Sequence, residues 1–220
     1  MTHSIQDIEN IYVKNVYNKI SNHFDHTRFS CWNLVGKFIS EIKLNSICLD
    51  LGCGNGKYLG IRDDITFYAI DNCEKLLEIV KNKYPNIKTI LTDVTDTSYP
   101  DNMFDSIISI AVIHHLNSIE RRIKLFNEIG RILKPGGQAL ITGWATKQVS
   151  SKSLNKSIKL DKQNDYLIPW TLKDTLEVFY RYYHLFEECE FENLVNQVEN
   201  LKIISCVYDR DNWNIIVEKK

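Results

Sequence analysis

The sequence predicts one α/β domain built on a mostly parallel sheet, and three observations carry this prediction. Short apolar runs alternate with segments of helical hydrophobic spacing, which is typical of helices that cover a parallel sheet. The first apolar run, residues 46–51, ends in a glycine-rich turn. The chain closes with two β-rich runs, 201–208 and 213–218, joined by four polar residues, which indicates an antiparallel hairpin added to the sheet.

The elements follow one another along the chain as such a domain requires. Apolar residues recur at helical spacing over residues 4–22, and a second apolar helix face is predicted over 31–42. Helices are also predicted over 74–83 and 118–133, and each ends shortly before a proline. Five short apolar runs predict strands that are buried on both faces. They are residues 46–51, 66–70, 89–91, 104–110 and 138–142.

The composition is that of an ordinary globular protein. The 220 residues are 44% hydrophobic and 25% charged, which excludes a disordered chain and a collagen-like fibre. No stretch approaches the roughly 18 apolar residues of a transmembrane helix, and the first ten residues do not resemble a signal peptide. The six cysteines show no C-x-x-C spacing, so we expect reduced thiols, no metal site, and a cytoplasmic or nuclear location.

The charge is unevenly distributed. A formal net charge of −1 by itself argues against a polyanionic partner. However, residues 119–160 hold nine Lys or Arg against two acidic residues, a local charge of +7 that the acidic flanks hide in the total. This basic stretch is either a solvated surface or a surface that follows a phosphate backbone.

The sharpest local signal is the turn Asp50-Leu-Gly-Cys-Gly-Asn-Gly56, directly after the first predicted strand. Glycines there let the backbone approach a ligand, and such sheets bind ligands at the carboxyl ends of their strands. A dinucleotide-binding fingerprint needs a glycine at position 57, and Lys57 at that position argues against a nicotinamide-dependent oxidoreductase. Asp50 would repel a polyphosphate and attract a ligand with a positive centre.

Two more acidic residues end the next two predicted strands. Asp71 lies nineteen residues after Gly52, close to where an acidic residue binds a ribose diol in nucleotide-binding sheets, although it also suits a helix N-cap. Asp93 is placed either to accept a hydrogen bond from an adenine amino group or to hold a turn. Together with the glycine turn, these positions describe a nucleoside ligand without phosphates.

As a set, these motifs together with Leu133-Lys-Pro-Gly-Gly137 resemble the class I S-adenosylmethionine-dependent methyltransferases over about residues 46–143. The resemblance implies a Rossmann-like, seven-stranded, mostly parallel sheet with a C-terminal antiparallel hairpin and helices on both faces. It also implies S-adenosylmethionine as the cofactor. It assigns Asp50, Gly52 and Gly54 to the methionine part, Asp71 to the ribose, Asp93 and Val94 to the adenine, and Ala111 to the same cleft.

Other segments resemble the eukaryotic wobble-uridine tRNA methyltransferases, and this match covers nearly the whole chain. The most diagnostic are Arg181-Tyr-Tyr-His184 and the closing Asp211-Asn-Trp213, which most methyltransferases lack. That family esterifies 5-carboxymethyluridine at tRNA position 34 and works with a small zinc-binding activator subunit. The resemblance therefore implies a heterodimer that acts on the tRNA anticodon loop.

A carboxylate acceptor needs no general base, because it is already ionised at neutral pH. The site must instead orient the carboxylate and balance part of its charge. The side chains proposed for this task are Arg28, His115, Arg181 and His184. Loop support for His115 and a surface ion pair for Arg181 remain alternatives. No metal role is expected for the adjacent His114 and His115.

RNA contacts are predicted on the basic stretch and on the aromatic pair that follows Arg181. Lysine and arginine side chains would follow the phosphates, and tyrosines would stack on an unstacked base unless they belong to the core. The predicted contacts are Arg121, Arg122, Lys147, Lys152, Lys156, Tyr182 and Tyr183.

We expect four parts within the single domain of residues 1–220: an N-terminal helical cap (1–45), a cofactor-binding core (46–145), a basic loop (146–168), and an acceptor side with helices and the terminal hairpin (169–220). The third strand should lie at an edge of the sheet, where a partner can add a strand. Two alternatives stay open at this point. They are a methyltransferase that acts on a small molecule and a non-catalytic binding subunit with the same fold.

Overall fold

Ten strands form two sheets in the computed structural model, which describes residues 5–149 and 154–220. The strands are β1 (Ile47–Leu51), β2 (Thr66–Asp71), β3 (Lys88–Leu91), β4 (Phe104–Ile110), β5 (Leu133–Trp144), β6 (Ile158–Lys159), β7 (Asp165–Thr171), β8 (Val178–His184), β9 (Leu201–Asp209) and β10 (Asn212–Lys219). Their order in the larger sheet is β3-β2-β1-β4-β5-β10-β9. Strands β1 to β5 are parallel, and β10 runs antiparallel to both β5 and β9. The predicted fold class, the closing hairpin and the edge position of β3 are thereby confirmed.

Helices cover both faces of this sheet. They are α1 (Ile5–Glu9), α2 (Asn15–Thr27), α3 (Asn33–Glu41), α4 (Glu74–Lys83), α5 (Ile119–Ile132) and α6 (Glu190–Val195), with a π-helical turn (Asn10–Lys14) joining α1 to α2. Because successive side chains of a strand point to opposite faces, Leu49 of β1 joins the core under α5 and α6, whereas Cys48 joins the core under α3 and α4.

The segment after β5 differs from its prediction. Instead of acceptor-side helices, residues 165–184 form strands β7 and β8, which pair with β6 in a three-stranded antiparallel sheet. The run Val-Phe-Tyr-Arg-Tyr-Tyr-His of β8 consists largely of β-branched and aromatic residues, which favour strands. Among the described residues that follow β5, α6 is the one α-helix, and a short 3-10 helix lies at Leu154–Lys156. The predicted basic loop likewise contains β6 and the start of β7.

This small sheet packs on the N-terminal helices. Val13 of the π-helical turn contacts a cluster with Leu167 and Tyr182, and Val16 and Ile20 of α2 belong to a cluster with Trp170. We call α1, the π-helical turn, α2 and the β6–β8 sheet together the cap. The cap lies over the carboxyl ends of the parallel strands, where the sequence places the ligand.

A buried charged network anchors the small sheet to α6. The His184 Nδ1 atom lies 2.7 Å from Asp165 Oδ1, and its Nε2 atom lies 2.7 Å from Glu190 Oε1. Arg122 Nη1 is 3.9 Å from the same Glu190 oxygen. Burial lowers the pKa of His184, but the hydrogen bonds to Asp165 and Glu190 outweigh it and raise that pKa above its usual value. Because both ring nitrogens are occupied and His184 does not line the cleft described below, its predicted contact with the acceptor is corrected to a structural role.

Replacing His184 with glutamine should cost stability mainly at the acidic end of the folded range. The folded pKa is above the unfolded value of about 6.5, so the charge of His184 stabilises the fold below that pH and ceases to do so as pH rises through the folded pKa. We expect a loss on the order of 1–3 kcal/mol near pH 6 that shrinks by about pH 9. Denaturant unfolding at both pH values measures it, with the exposed His26→Gln as control. An equal loss at both pH values would contradict a protonated His184.

Candidate active site

A cleft of about 1080 Å³ lies between the carboxyl ends of the parallel strands and the cap. Its walls come from the turn after β1, the ends of β2, β4 and β5, and the inner side of the cap. Parallel sheets bind ligands at this edge. Val94 and Ala111, both predicted to border the ligand, lie in the wall, and Ala111 has a positive φ of 61° as the chain leaves β4.

The glycine turn has a backbone that other residues adopt at a cost. Gly52, Gly54 and Gly56 have φ values of 85°, 54° and 74°. A Cβ atom on Gly52 would also come within 2.4 Å of Val112 Cγ2. The Asp71 carboxylate fixes the turn, because its Oδ2 accepts a hydrogen bond from the Gly54 N–H (2.8 Å) while Oδ1 accepts one from the N–H of Cys73 (2.8 Å). Asp71 therefore joins the turn to the start of α4 while lining the cleft.

Asp50 presents a buried carboxylate to the cleft. The residue is 1% exposed, and its Oδ2 atom has no hydrogen-bond partner among the described residues. Burial, together with the negative charge of Asp71, raises the pKa of Asp50 to about 8, while Lys57 acts in the opposite direction. A cationic group of a ligand would remove this electrostatic cost, so Asp50 is suited to bind one.

An ion-pair cluster of Glu9, Asp93 and Arg121 forms another part of the cleft wall. Arg121 Nη2 lies 2.7 Å from Asp93 Oδ2 and 2.7 Å from Glu9 Oε2, so it links β3's end to the cap. Burial raises the pKa of Asp93, but hydrogen bonds from Arg121 and Thr95 outweigh it and lower that pKa. Arg121 is held inside this cluster, and we therefore revise its predicted role from an RNA contact to a clamp on the cap.

Arg181, on strand β8 of the cap, presents a buried cation to the cleft. It is 5% exposed, donates from Nη1 to the hydroxyls of Tyr183 (2.7 Å) and Tyr17 (3.3 Å), and its guanidinium carbon lies 4.7 Å from the centre of the Trp170 ring. No carboxylate of residues 5–149 or 154–220 lies within 4 Å of it, and its Nε atom has no partner there. A buried guanidinium of this kind matches an anionic group of a ligand.

His115 is the neutral neighbour of Arg181. Its Nδ1–H donates to the carbonyl of Tyr182 (2.8 Å), which leaves Nε2 to accept from the hydroxyl of Tyr17 (3.0 Å). Burial lowers the pKa of His115 to about 3, helped by the charge of Arg181 and opposed by the bond to Tyr182. The adjacent His114 stacks on the Tyr183 ring at 4.3 Å between ring centres. Within the described residues, no group of three or more His, Cys, Asp or Glu side chains is arranged to hold a metal ion.

Two predicted RNA contacts lie in the interior instead. Tyr182 is 0% exposed and packs with Val13 and Leu167, so it cannot stack on a base in this structure. Arg122 is buried and donates from Nε to the carbonyl of Leu116 (3.0 Å). Both belong to the supporting structure, and their predicted RNA contacts are corrected accordingly. The burial of Tyr182 follows from strand β8, which was not predicted, whereas Arg122 lies on the predicted helix α5 and its burial follows from how that helix packs.

Three of the remaining predicted residues line the cleft, and Lys147 is not part of its lining. Tyr183 is buried but forms part of the cleft wall, Arg28 and Lys156 line the mouth, and Lys147 is exposed near the ring of Tyr208. Lys152 lies outside the described residues. Sequence reasoning did not single out Tyr17, Glu9 or Trp170 as site residues. Tyr17 and Glu9 sit in an ordinary helical pattern, and only the fold brings them to the cleft.

Among the described residues, none of the helices has both the length and the hydrophobicity of a membrane-spanning segment.

A family model with the description "Methyltransferase domain" matches residues 49–141 of this chain. Among solved structures, a chain of the S-adenosylmethionine-dependent methyltransferase from Clostridium acetobutylicum has a TM-score of 0.70 at 16% identity, covering 93% of this chain and 99% of that one. A chain from the complex of the Haloferax volcanii Trm112 methyltransferase activator with a methyltransferase has a TM-score of 0.66 at 12% identity, covering 94% and 98%. These likenesses confirm the fold.

Curated relatives are much closer in sequence. The tRNA (carboxymethyluridine(34)-5-O)-methyltransferase of Schizosaccharomyces pombe is 36% identical over 97% of this chain and 98% of its own length. A longer relative from Xenopus tropicalis, which bears the same activity in its name, is 31% identical over 96% of this chain, and the match spans 41% of that relative. Since the first match extends over almost all of both chains, this chain belongs to the tRNA (carboxymethyluridine(34)-5-O)-methyltransferase family.

Proposed function

We propose that this chain transfers the methyl group of S-adenosylmethionine to the carboxylate of 5-carboxymethyluridine at the tRNA wobble position, forming the methyl ester. Family membership supports the reaction and favours tRNA over the small-molecule acceptor that the sequence left open. The observation that carries the acceptor chemistry is Arg181, a buried cation in the cleft wall with no carboxylate partner among the described residues. Its natural complement is the acceptor carboxylate.

The cleft also fits the cofactor. The orphaned Oδ2 atom of Asp50 matches the ammonium of the methionine part, and the glycine turn leaves room where a side chain would intrude. Asp71 and Val94, which the resemblance assigns to the ribose and the adenine, line the same cleft. When bound, the cofactor supplies a methyl group on a sulfonium, which an acceptor oxygen can attack directly. No redox group or metal is needed for that chemistry.

The side chains around Arg181 fix its orientation. The carboxylate is ionised at neutral pH, so the protein has to position it rather than remove a proton. His115 stays neutral and accepts a hydrogen bond from the Tyr17 hydroxyl, which leaves the Tyr17 oxygen to accept one from Arg181. The guanidinium is thereby held by neutral partners only, and its full charge remains available for the acceptor. The cap covers this part of the cleft, where Arg181, Tyr183 and His115 are all buried.

Replacing Arg181 with methionine should selectively impair the acceptor step. The variant keeps much of the volume of the side chain but loses the charge, and we expect kcat/KM for carboxymethyluridine-containing tRNA to fall by about 10²- to 10³-fold. Affinity for S-adenosylmethionine should stay within about threefold of the wild type. Arg181 belongs to the cap, whereas the cofactor is assigned to the glycine turn and the strand ends. Nucleoside mass spectrometry and calorimetric titration measure the two quantities.

Lys37→Met is the matched control, since it removes a cation from the exposed face of α3. A melting curve shows whether the Arg181 variant is folded, and Arg181→Lys tests for partial rescue by the charge alone. Esterification within threefold of the wild type in a folded Arg181→Met protein would contradict the assigned role.

We further propose that a small activator subunit binds at the β3 edge of the sheet, and that the tRNA anticodon loop enters at the mouth near Lys147 and Lys156. Edge strand β3 leaves backbone groups unpaired, and its Ile90 and Leu91 are 40% and 51% exposed. The fold-level neighbour in the Trm112 complex supports an activator of that kind. The six free cysteines support a reducing compartment, the cytoplasm or the nucleus.

The double change Ile90→Lys with Leu91→Lys should weaken binding of a Trm112-type activator at least about tenfold, because it places two charges in an apolar contact. Co-purification and titration with the isolated activator measure this. The matched control is Ile204→Lys with Val207→Lys on β9, the other edge strand, where both side chains are also exposed. Loss of binding in the β9 variant alone would move the partner to that edge.

A further inference from the structure

Lys57, which directly follows the glycine turn, brings an unpaired cation to the cleft wall. Its Nζ atom lies 4.7 Å from the ring centres of both Trp32 and Tyr58, and no carboxylate of the described residues lies within 4 Å. Burial, and then the nearby charge of Arg28, lower the pKa of Lys57 to about 8. The aromatic rings stabilise the ammonium in part, but the charge has no counterion in the part of the chain that the structure describes.

Arg28 is held beside Lys57 by the glycine turn itself. The Asn55 side chain donates from Nδ2 to the carbonyl of Arg28 (2.9 Å) and to Asp25 Oδ1 (2.9 Å), so the end of α2 is fixed to the turn. The Arg28 guanidinium lies 5.0 Å from the centre of the Trp170 ring and donates to the carbonyl of Thr27 (3.2 Å). It too lines the cleft and forms no ion pair with the described residues. Two cations therefore share one stretch of the wall.

Asp50 provides the opposite charge at the same turn. Its Oδ2 atom is buried and has no hydrogen-bond partner among the described residues, and the charge of Lys57 opposes the rise in its pKa, so the two groups interact without forming a contact pair. A phosphate would suit the cations but would be repelled by Asp50. A group that carries an ammonium and a carboxylate on one carbon satisfies all three side chains at once. The arrangement is complementary to an α-amino acid.

We propose that Lys57, with Arg28 beside it, binds the α-carboxylate of the cofactor's amino-acid part while Asp50 binds its ammonium. This inference rests on the proposed function, since it takes S-adenosylmethionine as the ligand. It makes Lys57 a specificity residue, which distinguishes the complete cofactor from adenosyl sulfonium compounds that lack the carboxylate. Lys57 stands where a dinucleotide-binding motif has a glycine, and here the same side chain would select the carboxylate of the cofactor.

The test compares S-adenosylmethionine with its decarboxylated form, which keeps the adenosine, the sulfonium and the amine. Lys57→Met removes the charge and keeps an unbranched side chain against Trp32 and Tyr58. By calorimetric titration of the full chain, we expect the wild type to bind the complete cofactor about 10- to 100-fold more tightly than the decarboxylated one. The variant should lose most of this preference through weaker binding of S-adenosylmethionine, with its affinity for the decarboxylated form unchanged within about threefold.

Lys57→Arg should keep the preference, and Lys81→Met, on the exposed face of α4, is the matched control. Equal weakening for both ligands in Lys57→Met would reduce Lys57 to a structural residue and overturn the proposal. Unchanged cofactor affinity with a raised KM for tRNA would overturn it in favour of a contact to RNA. A wild-type chain that binds neither ligand would instead refute the proposed function itself, a result that does not depend on any Lys57 variant.

Discussion

The cleft depends on the pair of hydrogen bonds by which the Asp71 carboxylate holds Gly54 and Cys73. A turn with three glycines at positive φ has a large conformational freedom to lose, and it keeps one shape because a carboxylate from the neighbouring strand fixes its middle. The same turn positions Asp50 and Lys57 and, through Asn55, the end of α2. A single side chain on β2 thus controls the wall of the cleft and the placement of the cap.

The second constraint is electrostatic. The cleft holds a carboxylate at Asp50 and cations at Lys57 and Arg181, none in a close ion pair with the described residues. Aromatic rings and neutral hydroxyls surround the two cations, which lets the fold bury them without neutralising them. Elsewhere the chain pairs its buried charges, as at His184 and Arg121. The paired charges stabilise the fold, whereas the unpaired charges in the cleft are available to bind a ligand.

The larger sheet was predictable because its strands carry local signals: apolar runs, a glycine turn and prolines after helices. The acids at the ends of β1, β2 and β3 were equally accessible, since parallel strands bring their carboxyl ends to one edge. The small sheet could not be predicted from the sequence. Strand β8 pairs with β7 across a polar segment, and the aromatic residues of β8 do not alternate clearly with polar ones. That one error misplaced Tyr182 and His184. Arg181, one and three positions from the two residues that turned out to be structural, faces the cleft only because of the register of β8.

Arg181 has no carboxylate partner among the described residues, and this also bears on how a catalytic cycle ends. Within the proposed reaction, the acceptor arrives as an anion and leaves as an uncharged ester. The guanidinium that attracts the substrate therefore has no ion pair with the product, and the cost of an uncompensated buried cation returns as soon as the methyl group is transferred. Neutral Tyr17, Tyr183 and His115 offer the ester no replacement charge. In the proposed reaction one side chain thus serves both substrate capture and product release, and we expect the esterified tRNA to bind more weakly than the substrate.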